Sequence, residues 1–188
     1  MSIQKMLEFF ETVGKLKTVK RSGWITQAGI DEPESVADHS FRCAILSMCI
    51  CDTLQIDSEK TIRMLLLHDI QESLTGDHDL SAKKKRGFRR VKNEARTAIE
   101  RILSGLPIRL RDNYLSLWNE YENRKTPEAI VANDIDKIEM VIQAFEYEKK
   151  GYKSNKFKTF WSQVQDQIKT PLIKEMFKLL QTQRKAAK

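Results

Sequence analysis

Proline and glycine are scarce in this chain. Four prolines and seven glycines in 188 residues leave few sites for tight turns and favour long helices. Cysteine is scarcer still: Cys43, Cys49 and Cys51 fall in one stretch of helical pattern. Their number is odd, and Cys49 and Cys51 would point about 200° apart on a helix. The spacing therefore predicts reduced, mostly buried thiols in a cytoplasmic protein. No apolar run approaches the roughly 20 residues of a membrane span. The opening MSIQKMLEFFETVGKLK alternates charged and apolar residues at helical spacing. It lacks the apolar block of a signal peptide and reads as part of the fold. No alternating strand pattern of useful length, internal repeat or linker is found.

What is present is ordinary in amount and uneven in place. Apolar residues make up 40% and charged residues 31%, values typical of a globular chain. The length suits one domain, 1–188, able to bury a sizeable core. The formal charge is +7 and the pI about 9.3, which suits anionic partners from nucleotides to nucleic acid. Much of the excess lies in KKKRGFRRVK, 83–92, and in the tail RKAAK; a solvated loop and a frayed end are the plain expectations for these. Helical periodicity predicts helices near 3–17, 36–54, 59–73, 88–104, 108–122, 127–149 and 156–182. Ser35 with Asp38 forms a capping-box pattern, Asp57-Ser58 opens the third helix, and Pro107 and Pro127 sit near helix starts. The fold class is all-α: a helical bundle with a core over about 17–150 and a C-terminal helix packed on it.

Histidine is the third shortage. Two of only three histidines lie in RMLLLHDIQESLTGDHDL, 63–80. His68-Asp69 ends an apolar run, where an imidazole and a carboxylate are costly unless paired. A metal ion would pair with both. Glu72, four residues from His68 and three from Asp69, lies beside them on a helix and is placed for proton transfer. The plain alternative is a core histidine satisfied by a carboxylate. PESVADHS puts His39 in the first turn of the preceding helix, which an antiparallel pair brings near His68. NDIDKIEM adds Asp134 and Asp136 within an apolar helix. Two nitrogens and two oxygens suit one Mn²⁺, Co²⁺, Fe²⁺, Ni²⁺ or Zn²⁺ ion, with positions left for water and substrate. Val131, Ile135, Ile138, Ile142 and Phe145 form one stripe at 100° per residue. Periodicity favours Asp134, at the edge of that stripe, over Asp136 on the other side with Ala132 and Met140.

ESVADHS, LLLHDIQESLTGD and DKIEMVIQAFEYE resemble the HD-domain metal-dependent phosphohydrolases. The likeness is greatest to the small single-domain branch that includes the bacterial 5′-deoxynucleotidase and the eukaryotic and archaeal HD-domain-containing homologues. It runs from KTVKRSGW to FEYEKKG. The resemblance implies an all-α bundle, one divalent ion (Mn²⁺ or Co²⁺ preferred) and hydrolysis of phosphate esters. The implied ligands are His39, His68, Asp69 and Asp136, with Asp134 the runner-up, a surface or supporting acid. Glu72 is implied to position a water or handle its proton. Asp77 matches an acid that contacts the sugar hydroxyl, with a turn residue after Gly76 the alternative. Arg21 is implied to touch phosphate and Trp24 to wall the sugar or base; the alternatives are a basic turn and a core anchor. Their R-x-G-W spacing departs from the adjacent Arg-Trp of the bacterial enzyme. Glu34 matches the acid of ESV and stands behind the ligands. His78-Asp79 has no place in the ligand set and reads as a loop at the mouth of the site. Lys83 to Arg86 follow it and either attract an anion or form a plain exposed loop.

The expected activity is a 5′-nucleotidase acting on (deoxy)nucleoside 5′-monophosphates, with a homodimer implied. A membrane and nucleic acid are not expected partners. Two rivals stand beside it. One is an HD hydrolase of nucleoside triphosphates or cyclic nucleotides, which three histidines disfavour because a second ion needs more. The other is a basic helical module binding nucleic acid through 83–92.

Overall fold

The computed structural model describes residues 3–187. Ten α-helices follow one another: α1 (Ile3–Gly14), α2 (Val36–Leu54), α3 (Ser58–Leu67), α4 (Glu72–Thr75), α5 (Leu80–Arg86), α6 (Phe88–Leu103), α7 (Ile108–Asn123), α8 (Pro127–Lys149), α9 (Lys158–Gln165) and α10 (Pro171–Ala186). Among the described residues there is no strand, only one antiparallel bridge between Lys20 and Ser35. That bridge ties the 17–24 segment to the start of α2. No helix is long and apolar enough to cross a membrane among the described residues.

The helix starts follow from local chemistry. Ser35 Oγ accepts from the Asp38 amide at 3.1 Å and Asp38 Oδ2 accepts from the Ser35 amide at 2.8 Å. This reciprocal box satisfies two donors that α2 leaves unpaired. Asp57 caps α3 through the Lys60 amide at 2.9 Å. Thr126 caps α8, with Pro127 in its first turn, where the missing N–H costs nothing.

α8 is the axis of the bundle. It packs against α2, α3, α7, α9 and α10, so its buried positions encircle it: Val131, Ala132, Ile135, Ile138, Val141 and Ala144 are all inside. A helix wrapped on every side has no solvent face against which to orient an acid.

The structure departs from the predicted helices in three places. The helix expected over 59–73 stops at Leu67, and His68 caps it. Three-residue turns follow, Ile70 N–H to Leu67 O at 3.2 Å and Glu72 N–H to Asp69 O at 3.0 Å, before the short α4. His68 and Asp69 therefore sit at a helix end, not within a helix. The helix expected over 156–182 is broken between α9 and α10. Thr170 is extended (φ −68°, ψ 120°), as a residue before proline prefers, and Pro171 starts α10 afresh. The basic 83–92 stretch is two helices, α5 and α6, separated by Gly87 at φ 89°, a conformation that favours glycine. Asp79 caps α5 through the Ala82 amide at 2.7 Å, so it is a helix-start residue and not simply a solvated loop. The end of the chain is not frayed through Arg184. That guanidinium pairs with Glu148 at 2.6 Å and lies 4.5 Å from the Trp161 ring. Met1, Ser2 and the last tail residue, Lys188, lie outside the described residues.

Candidate metal centre

Three helices deliver the polar groups to one place. The capping box fixes the first turn of α2 and, with it, His39. The end of α3 delivers His68 and Asp69. The middle of α8 delivers Asp136. The rings of His39 and His68 are 5.4 Å apart. His39 Nε2 is 3.2 Å from Asp136 Oδ1, and His68 Nε2 is 3.1 Å from Asp69 Oδ2. One donor atom each from His39, His68 and Asp136 lie within 4.8 Å of one another. Asp69 joins them through His68.

Both imidazoles are oriented from behind. His68 Nδ1–H donates to the Leu65 carbonyl at 2.6 Å, which turns Nε2 toward the acids. Nε2 itself is buried, and its approach to Asp69 Oδ2 lacks the alignment of a hydrogen bond, which leaves it without a hydrogen-bond partner among the described residues. His39 Nδ1 bonds to the Glu139 carboxylate. Glu139 is braced by Arg42, whose Nε donates to Oε1 at 2.8 Å. Arg42 also reaches Glu146 at 2.8 Å and Gln143 at 2.6 Å. A carboxylate behind a histidine fixes its tautomer and makes the far nitrogen a better donor.

The electrostatics show what charge the centre suits. Burial and Arg21 disfavour charge on His39, yet Cys43, Glu139 and Asp136 together outweigh them and hold its pKa well above the ordinary value. His68 is raised too: burial opposes, Asp69 prevails. Asp69 is held down to about 2, against burial, by His68 and His39. Asp136 is driven far below its usual range, again against burial, by His39, His68 and Arg21. The acids thus demand positive charge at the point where the ring nitrogens face them. A divalent cation would supply it, and the N/O donor set with an unpartnered buried Nε2 fits one. A second trio, His39, Cys43 and Glu139, is also close enough. It fits poorly: burial pushes the Cys43 thiol up to about 12, a protonated non-ligand, and Arg42 already neutralises Glu139.

A cavity of about 360 Å³ opens onto the centre, with His68, Asp69, Glu72 and Asp136 among its lining residues. Glu72 is buried, and its Oε2 has no partner among the described residues. Burial, Asp69 and Asp77 together hold its pKa well above the usual carboxylate value. His78 is another lining residue of this cavity, bonded to the Gly76 carbonyl at 3.1 Å and to Arg86.

Asp134 faces elsewhere. Its Oδ2 accepts from the Lys169 amide at 2.8 Å, the Thr170 amide at 2.7 Å and the Thr170 hydroxyl at 2.8 Å. It is neither a surface acid nor a partner of the centre; it pins the start of α10. The helical stripe favoured the acid that faces away from the two imidazoles because α8 is buried all round.

Arg21, Trp24 and Asp77 do come together, around a second cavity of about 150 Å³. His78 and Lys83 line both cavities. Asp77 Oδ2 accepts from the amide and hydroxyl of Ser22, so the turn residue also fastens the Arg21 segment. Arg21 Nε is 3.5 Å from Glu34 Oε1. Trp24 is only 1% exposed. It stacks on Phe160 with centroids 4.3 Å apart and donates to Glu34 Oε1 at 2.9 Å. Its surface is spent on the core, where burial of such a side chain contributes about 2 kcal/mol or more.

Three neighbours were missed from the sequence. Glu139 and Arg42 are charges on largely apolar helices, at Asp136+3 and His39+3, a signal that was available. Tyr121, whose hydroxyl donates to Asp136 Oδ2 at 3.2 Å, gave none.

An all-helical domain that gathers two imidazoles and two carboxylates beside a buried acid presents a donor set that suits a divalent ion, next to a cavity of small-molecule size. The chain belongs to the HD-domain family, whose profile matches residues 13–179. It is 40% identical to 5′-deoxynucleotidase HDDC2 of Dictyostelium discoideum, over 95% of this chain and 98% of that one. It is 31% identical to 5′-deoxynucleotidase HDDC2 of Homo sapiens, over 96% of this chain and 87% of that one. A crystal structure of a Pyrococcus horikoshii OT3 protein superposes with a TM-score of 0.78 at 29% identity, covering 94% of this chain and 96% of that one.

Proposed function

We propose that this chain is a divalent-metal-dependent phosphohydrolase that releases phosphate from (deoxy)nucleoside 5′-monophosphates. The observation that carries the reading is the meeting of His39, His68 and Asp136 at a cavity that also holds the unpartnered Glu72. The relatives' names supply the substrate class.

His39, His68, Asp69 and Asp136 would hold the ion. When bound, it polarises a phosphoryl oxygen and makes water a better nucleophile. The chain's own groups do the rest. Glu72, buried beside Asp69 with one oxygen free, orients the attacking water and holds or passes its proton. Arg21 turns Nε to Glu34 and keeps its terminal nitrogens for two hydrogen bonds to phosphate. Asp77 spends Oδ2 on Ser22 and keeps Oδ1 for a sugar hydroxyl. The homodimer and the cytoplasmic location belong to the same reading.

The nucleic-acid alternative loses support from the fold. Arg86 and Arg90 pair with Glu94 at 2.6 and 2.9 Å, and Lys92 lies 3.7 Å from Glu122. Three of the seven basic side chains of 83–92 are thus paired with two acids in place.

The test is metal analysis of the purified protein, then phosphate release from a panel of nucleoside monophosphates with Mn²⁺ or Co²⁺. His68→Ala and Asp69→Ala lose metal and activity together. Glu72→Gln keeps the metal and loses turnover by about 10²–10⁴-fold. Full activity in that variant removes Glu72 from the chemistry, and metal retained by both other variants removes the centre.

A further inference from the structure

The groups expected to touch substrate and the groups expected to hold the ion open onto different cavities. Arg21 and Asp77 line the one of about 150 Å³, too small for a sugar and a base. His68, Asp69, Glu72 and Asp136 line the one of about 360 Å³, within the range of small-molecule sites. The reacting phosphorus belongs beside these four groups in the larger cavity. Whatever else the substrate carries needs the room that remains.

That room is walled by α6 and α7, which no motif marks. Val91 and Ala95 face it from α6, and Trp118 and Tyr121 from α7. Trp118 is fixed, its Nε1 donating to Gln71 Oε1 at 3.1 Å, and is buried in the core. Phe88 is different. It is the first residue of α6 and is 56% exposed, yet it lines the same cavity. Gly87, at φ 89°, sets the direction in which α6 departs. Two further groups here are unspent. Lys83 and Arg124 line the cavity and form no ion pair among the described residues, unlike Arg86, Arg90 and Lys92.

We propose that the cavity between α6 and α7 seats the base of the substrate, with the Phe88 ring as the face on which it stacks, while the sugar stays within reach of Asp77 where the two cavities meet at His78 and Lys83. This rests on the nucleotidase reading above. Every base has a π-face, so stacking tolerates any of them. Lys83 and Arg124 add donors for the carbonyl oxygens of those bases that carry one. Phe88 is thus a specificity residue: it separates nucleotides from sugar phosphates of the same reactive end.

The experiment compares thymidine 5′-monophosphate with deoxyribose 5-phosphate, in wild type, Phe88→Ala and Phe88→Trp. Because Phe88 is largely exposed, the variants keep the fold. Phe88→Ala raises KM for the nucleotide about tenfold, with kcat within twofold, and shifts KM for the sugar phosphate by less than twofold. Phe88→Trp restores the nucleotide KM. An unchanged nucleotide KM in Phe88→Ala, or equal losses on both substrates, overturns the seat. A wild type that cleaves neither substrate refutes the nucleotidase reading instead. The seat is then judged from thymidine 5′-monophosphate binding alone, with Mn²⁺ present, followed by tryptophan fluorescence. Saturable quenching weakened about tenfold in Phe88→Ala supports it; equal or absent quenching in both proteins overturns it.

Discussion

Replacing Asp134 with alanine separates two jobs that the sequence places two residues apart. One oxygen, Oδ2, accepts three hydrogen bonds from Lys169 and Thr170, at 2.7–2.8 Å. Thr170 is buried, so its amide loses its acceptor with little water to replace it. Hydrogen bonds to a charged group contribute about 1.5–3 kcal/mol each and do not add fully. The expected cost is about 3–5 kcal/mol, or roughly 10 °C in Tm for a chain of this length. Asp134→Asn is milder, about 1–2 kcal/mol, because an amide oxygen still accepts; only the charge facing Lys137, 3.6 Å from Oδ1, is lost. The assay is thermal unfolding by circular dichroism beside metal content per chain. Both Asp134 variants bind one equivalent of metal, whereas Asp136→Asn binds little. An Asp134→Ala protein that melts like the wild type but has lost its metal refutes the reasoning and returns Asp134 to the ligand set.

Glu139→Ala removes the acceptor behind His39 and strands Arg42; metal affinity, measured by chelator competition, falls about 10–100-fold, while Glu139→Gln keeps most of it. Unchanged affinity in the alanine variant shows that His39 needs no brace. A thiol reagent titrates one cysteine in the native protein, the exposed Cys49, and three after unfolding, since Cys43 and Cys51 are buried; two fast thiols contradict the packing of α2. Asp79→Ala costs about 1 kcal/mol as a lost cap on α5. Burial opposes ionisation of Asp79, but hydrogen bonds from Ala82, Thr26 and Gln27 hold its pKa below the ordinary value. Its contribution is therefore present above pH 4 or so and is lost as pH falls through the lowered folded value. A wild-type and variant Tm gap that fails to narrow in acid contradicts this.

Much of the centre was legible because burial makes polarity expensive. His68-Asp69 after an apolar run and an acid pair inside an apolar helix are conspicuous for that reason alone. The break after Leu67 was not legible, since the apolar run and its period continue past it without proline or glycine until Gly76. The supports were harder. Glu139 and Arg42 read like solvated helix charges until the two helices are brought face to face. The cavity walls on α6 and α7 carry no local sign at all, because a wall is defined by what stands opposite it.

The order of helices, their caps and the supply of two imidazoles with neighbouring acids were determined by the sequence itself, through local hydrogen bonding and the 3.6-residue period. The tertiary structure decided which acid does what. On a helix enclosed on every side, hydrophobic pattern has no solvent direction to refer to, so only the packed neighbours turn Asp136 toward His39 and Asp134 toward the start of α10.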